Sequence, residues 1–203
     1  LIMQNKHKMR HYLDRLQESM IAKWNTEALS DYRGKTFTFA NFATEIARLH
    51  TIYKFLGVEQ GDKISLAAKN SSRWAMAFLA TTTYRAVAVP ILADFTPESI
   101  SNLVEHSDSR ILFTEPKCWS EMPKEQLDKV LAVVSLEDYS ILYLRDTTHR
   151  SEIEAQLATI PAVYPDENSL STVIFTGGTT GNSKGARLSH RAVVRGTKNG
   201  CYG

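Results

Sequence analysis

Strand signals and helix signals take turns through the middle of this chain, and that alternation admits very few folds. Ile64–Ala68 and Val87–Ile91 are short runs rich in apolar and β-branched residues, which predict strands. Between them, Ser71 or Ser72 predicts the cap of a helix running through Trp74, Phe78 and Leu79. Thr96-Pro97-Glu98 then supplies an N-cap, a first-turn proline and a first-turn acid for a helix carrying Ile100, Leu103 and Val104. The same reasoning predicts strands at Arg110–Thr114, Ala132–Leu136 and Ile141–Leu144, and helices at Lys124–Leu131 and Ser151–Ile160. Parallel strands need a crossover to bring the chain back, and a helix is the usual one. The expected class is therefore α/β, a mostly parallel sheet flanked by helices.

A lead-in precedes the alternation. From Tyr12 to Trp24, Leu13, Leu16, Met20 and Ile21 recur at helical spacing. Ala28–Tyr32 and Lys35–Phe39 flank Arg33-Gly34 as the arms of a hairpin. Phe42, Ile46, Leu49, Tyr53 and Leu56 form one helical stripe, closed by Gly57 as a C-terminal cap.

The strand-like run Val173-Ile174-Phe175 breaks into a loop with the chemistry of phosphate binding. Gly177, Gly178 and Gly181 lack the Cβ that keeps an anion off the backbone, so successive N–H groups can converge on phosphate oxygens. Thr176, Thr179 and Thr180 add hydroxyls that donate to an oxyanion or ligate a hard cation, and Lys184 adds a charge on a flexible stem. A Walker loop needs glycine before the lysine and a hydroxyl residue after it; here Ser183 precedes Lys184 and Gly185 follows. The loop belongs to another class.

That segment resembles the signature of the AMP-forming acyl-activating, or adenylate-forming, enzymes, whose loop reads [YF]-T-S-G-T-T-G-x-P-K-G-[VA] followed by L-[ST]-H. Phe175, Thr176, Gly178, Thr179, Thr180, Gly181, Lys184, Gly185, Ala186, Leu188, Ser189 and His190 match; Gly177 and Ser183 replace the usual Ser and Pro. Gly57–Asn70 and Ala86–Ile91 are similar to further family segments, and Ala28–Phe39 to the opening of bacterial long-chain fatty acid ligases. The resemblance implies the N-terminal part of the family's large domain, with residues 1–60 as lead-in and 61–203 as the alternating unit holding a phosphate loop at 175–185. The rest of that domain and a C-terminal domain would lie beyond residue 203.

The implied activity is acyl-CoA synthesis from a small-molecule carboxylate, a fatty acid by this resemblance, with ATP, Mg²⁺ and CoA as co-substrate. Thr176 would meet Mg²⁺ and phosphate, Gly177–Gly181 the backbone nest, Thr179, Thr180 and Lys184 the β,γ-phosphates; no catalytic residue is identified within these 203 positions. The chain alone is expected to make no acyl-adenylate. Two alternatives stay open: an amino-acid or aryl-acid adenylating domain, and a non-catalytic nucleotide-binding or scaffold protein, which Gly177 and Ser183 would suit.

Charge and cysteines narrow the classes. Net charge is +2 from 24 basic and 22 acidic side chains, which gives no nucleic-acid footprint. After Glu167 there is no acid, whereas Lys184, Arg187, Arg191, Arg195 and Lys198 follow, as an anionic partner or a neutralising downstream segment would explain. Cys118 and Cys201 show no metal or redox spacing, and no apolar h-region follows Lys6, Lys8 and Arg10, so a cytoplasmic setting is expected. Ala86–Ala93, the longest uncharged apolar run, is too short to span a bilayer and leaves only peripheral membrane contact open. His190 reads as a helix-start residue without a catalytic partner, His106 as an exposed helix end, and Trp24, Trp74 and Trp119 as packing residues.

Overall fold

The computed structural model describes residues 12–158 apart from Gln126. Helix α1 (Tyr12–Ala22) leads into the hairpin β1 (Glu27–Ser30) and β2 (Thr36–Thr38), then α2 (Phe39–Phe55). The alternating part follows: β3 (Lys63–Ala67), α3 (Ser72–Thr83), β4 (Val87–Ile91), α4 (Pro97–His106), β5 (Ser109–Thr114), α5 (Pro116–Glu121), β6 (Ala132–Ser135), β7 (Ile141–Leu144) and α6 (Arg150–Ala158).

Local chemistry explains the element ends. Thr38 caps α2 in a reciprocal box with Asn41, Ser71 Oγ accepts from Trp74 N–H at the start of α3, and Thr96 accepts from Ser99 N–H ahead of Pro97 in α4. At the far end of α2 the Val58 N–H reaches Tyr53 O and the Gly57 N–H reaches Lys54 O, a Schellman closure that needs the left-handed backbone Gly57 adopts (φ 68°).

The five-stranded sheet runs β4-β3-β5-β6-β7, with β3 parallel to β4 and β5, β5 parallel to β6, and β7 antiparallel at the far side. Leaving β3, the chain steps to β4; leaving β4, it must return past β3 to reach β5. Right-handed crossovers in opposite directions fall on opposite faces, and they do. One face carries Ile64, Leu66, Ile111, Phe113, Ala132 and Val134 against α2, α3 and Ile153 of α6. The other carries Ala67, Leu112 and Val133 against Ile100 and Val104 of α4, with Met122, Leu127 and Val130 from the chain after α5. Pro90, lacking an N–H, sits exposed in β4 at the sheet's edge, where a strand proline is tolerated.

Helices α2 and α3 are locked by a run that helix propensity disfavours. Thr81, Thr82 and Thr83 are β-branched, yet each hydroxyl bonds back to a carbonyl of its own helix, at Ala77 or Leu79. Each also meets a different ring: the Tyr53 hydroxyl (3.2 Å) for Thr81, Tyr12 for Thr82, and His50 Nε2 (2.9 Å) for Thr83. His50 Nε2 lies equally close to Ala80 O.

One predicted helix is absent and one helix was not predicted. The described residues of Lys124–Leu131 form isolated turns rather than a helix, closed by Leu127 N–H to Lys124 O and Val130 N–H to Leu127 O, and Arg145 donates to the carbonyls of Leu127 and Val130. Buried Leu127 and Val130, three apart, mimic a helical stripe. The helix in this connection is α5, which starts eight residues earlier, begun by Pro116 in its first turn and ended before Pro123. Trp24 packs in the core, Trp74 stacks on Phe78, Trp119 lies against Tyr143, and His106 ends α4 exposed, as expected.

Candidate functional site at the carboxyl edge of the sheet

The chain leaves β3 toward one face through α3 and leaves β5 toward the other through α5, so the loops after these neighbouring strands diverge. Such a switch point opens a crevice at the carboxyl ends of the strands, where open α/β sheets take their ligands. In this sheet the switch point falls between Ala68–Ser71, which follow β3, and Glu115, which follows β5. The two strands are pinned there by the Thr114 hydroxyl, which donates to Ala67 O (2.9 Å).

The turn from β3 into α3 is held from two further directions. Asp31, in the hairpin turn between β1 and β2, accepts the Ser72 N–H on Oδ1 at 2.7 Å, so a carboxylate of the protein itself occupies the positive end of α3. Gly34 closes that hairpin turn through its N–H to Asp31 O, and a side chain there would meet Asp31 Cβ at 2.9 Å. From the other side Tyr139, in the β6–β7 turn, donates its hydroxyl to Arg73 O at 2.8 Å. Tyr139 has a left-handed backbone (φ 64°) and no exposed surface. Its ring lies edge-on to Phe113 and 5.7 Å from each of the Arg48 and Arg73 guanidinium carbons, Arg48 being paired with Glu45.

Electrostatics follow this packing. Burial pushes the Tyr139 phenol well above its ordinary value, helped by the Glu45 carboxylate and only partly opposed by Arg73 and Arg48. Burial also pulls the neighbouring Asp138 carboxyl upward, but hydrogen bonds from Ser140 and Ser135 and the Arg73 charge outweigh it and hold Asp138 below the usual carboxylate range. Cys118, in α5, is a half-buried free thiol raised by its burial. Among the described residues no group of three or more His, Cys, Asp or Glu side chains could hold a metal, and no helix is long and apolar enough to cross a membrane.

Thr176, Gly177, Gly178, Thr179, Thr180, Gly181, Lys184 and His190 lie outside the described residues, as does Cys201. Sequence reasoning passed over Asp31, Thr114 and Tyr139, whose partners stand 41, 47 and 66 positions away. Only the Asp31-to-Gly34 spacing in a turn hinted at a role.

Strand order and split faces define an open, doubly wound α/β protein whose topological switch point lies between β3 and β5. Its lineage is specific: the chain belongs to the AMP-binding enzyme family, which it matches over residues 16–202. It is 26% identical over 163 residues to a 4-coumarate–CoA ligase of Petroselinum crispum, covering 79% of this chain and 29% of that protein. A sulfoacetate–CoA ligase of Cupriavidus necator is 29% identical over 169 residues, 82% of this chain and 32% of that one. The crystal structure of an anthranilate CoA ligase in complex with anthranoyl-AMP shares the fold with a TM-score of 0.60 at 19% identity, over 76% of this chain and 29% of its own. The chain thus spans about three tenths of these relatives' length.

Proposed function

We propose that the full-length protein is an ATP-dependent, AMP-forming carboxylate–CoA ligase. The observation that carries this reading is the sequence match of Phe175–Ala186 and Leu188-Ser189-His190 to the family's signature, apart from Gly177 and Ser183, within a chain that matches the AMP-binding enzyme family over residues 16–202. In the first half-reaction a carboxylate oxygen attacks the α-phosphorus of ATP and pyrophosphate leaves; in the second the CoA thiol displaces AMP. Negative charge grows on the departing phosphates, so donors fixed before reaction favour the transition state over the bound substrate. The N–H groups of Gly177–Gly181 converge on that charge, Thr179 and Thr180 donate hydroxyl hydrogen bonds to the β,γ-oxygens, and Lys184 follows the leaving group on its flexible stem. Mg²⁺ supplies charge neutralisation when bound, and Thr176 is the residue of this chain whose hydroxyl suits it.

Residues 1–60 act as lead-in and 61–203 as the alternating unit, in a cytoplasmic enzyme. The acid is a fatty acid, supported by the likeness of Ala28–Phe39 to long-chain fatty acid ligases; the coumarate, sulfoacetate and anthranilate specificities named for relatives make aryl and short acids the competing classes. ATP–pyrophosphate exchange by the full-length protein against panels of fatty, aryl and amino acids tests the reading. Fatty-acid-dependent exchange followed by thioester formation with CoA is expected; exchange with amino acids alone, or with no acid, refutes it.

A further inference from the structure

A turn between strand and helix needs little beyond its own cap, and the β3–α3 turn has one in Ser71 Oγ, which accepts the Trp74 N–H. Three more side chains nevertheless converge on Ala67–Arg73 from separate elements: Asp31 on Ser72 N–H, Thr114 on Ala67 O and Tyr139 on Arg73 O. Each was ordered at the expense of rotamer freedom, and Tyr139 also holds an unfavourable backbone conformation. Within the clamped turn Lys69 and Asn70 are exposed, and among the described residues neither has a hydrogen-bond or ion-pair partner. The turn follows β3 at the switch point, and the Ser72 N–H at the start of α3 is already taken by Asp31.

We propose that Asp31, Thr114 and Tyr139 are positioning residues that clamp the β3–α3 turn, fixing Lys69 and Asn70 as a wall of the crevice for a phosphate-bearing substrate. The inference rests on the ligase reading, whose phosphate-bearing substrates are ATP and CoA. A rigid turn fixes the backbone from which the flexible Lys69 side chain reaches, so binding spends less on ordering the turn.

In the full-length protein, Asp31→Ala and Thr114→Val should each raise one KM about fivefold, the equilibrium weight of a lost cap or buried hydrogen bond, with kcat within about twofold of the parent. Asp31→Asn keeps an Oδ1 acceptor and should restore the parent KM. A rise in KM for ATP during pyrophosphate exchange assigns the wall to ATP; a rise in KM for CoA at saturating ATP assigns it to CoA. Either nucleotide so assigned should also slow tryptic cleavage after Lys69 in the unmutated protein. If a clamp variant does not fold, Lys69→Ala, at an exposed position, must raise the same KM. Unchanged KM values for both nucleotides in Lys69→Ala, or faster cleavage after Lys69 in Asp31→Ala with both KM values unchanged, overturn the inference. Absence of exchange with every acid instead refutes the ligase reading, and nucleotide protection of Lys69 from trypsin then still decides this one.

Discussion

Replacing Tyr53 and Tyr139 together by phenylalanine should invert the protein's relative stability between neutral and alkaline pH. Both phenols are wholly buried. Burial drives each pKa upward, against only a small opposing contribution from the Thr81 hydrogen bond at Tyr53 and from the Arg73 and Arg48 charges at Tyr139. In the unfolded chain both titrate near 10. A folded-state pKa above the unfolded one gives stability that is complete below pH 10 and is lost as pH rises, because the unfolded chain releases protons that the folded chain retains. At pH 11 each buried phenol then favours unfolding by about 1.4 kcal/mol, about 2.8 kcal/mol for the pair.

At pH 8 the balance is different. Tyr53 loses one hydrogen bond to Thr81, whose hydroxyl still donates to Ala77 O, and Tyr139 loses its bond to Arg73 O, so the double variant should be less stable by about 2 kcal/mol. By pH 11 it should be more stable by about 1 kcal/mol. Urea unfolding followed by far-UV circular dichroism at pH 8, 9, 10 and 11 reads the crossing directly, since every other titrating group is common to both proteins. A stability difference that stays constant from pH 8 to 11 would refute the reasoning, and would mean that water reaches these phenols in the folded state.

Gly57→Ala should cost about 1 kcal/mol, seen as a lower urea midpoint at unchanged slope; a new Cβ there meets nothing within 4 Å, so the penalty is purely that of a left-handed alanine. On the ligase reading, Lys184→Ala in the full-length protein should slow single-turnover adenylation by about 10²–10³-fold while changing carboxylate affinity little; a near-normal rate makes Lys184 a solvated surface lysine. Ser183→Pro, which restores the family's usual residue, should tighten ATP binding about two- to fivefold by restricting the unbound chain, and titration calorimetry showing equal or weaker binding in a folded variant refutes that expectation.

Signals written in adjacent residues were legible before any coordinates. Thr96-Pro97 marks the start of α4 because cap and first-turn proline act within one turn, Gly57 marks the end of α2 because only one backbone conformation closes it, and Val87–Ile91 is β4 to the residue. Failure came where spacing imitated structure: Leu127 and Val130 read as a helix, although each is buried from its own turn while Arg145 holds their carbonyls. The expectation of a phosphate loop at 175–185, which lies outside the described residues, is legible for the same local reason as the caps, since its donors are consecutive. The switch point between β3 and β5 is not, because it depends on which strand lies beside which, and nothing near Asp31 announces a partner at Ser72. His50, buried between α2 and α3, likewise drew no notice: its partners Ala80 and Thr83 stand at least 30 positions away.

The five strands find one another entirely between residues 63 and 144. Thr176 follows Leu144 by 32 residues. At ribosomal speeds of about 5–20 residues per second, that separation is roughly two to six seconds. A sheet of this kind completes its pairing faster than that. During synthesis, then, the sheet's pairing needs no residue of the glycine- and threonine-rich segment, which leaves the ribosome only after every strand of that sheet has done so.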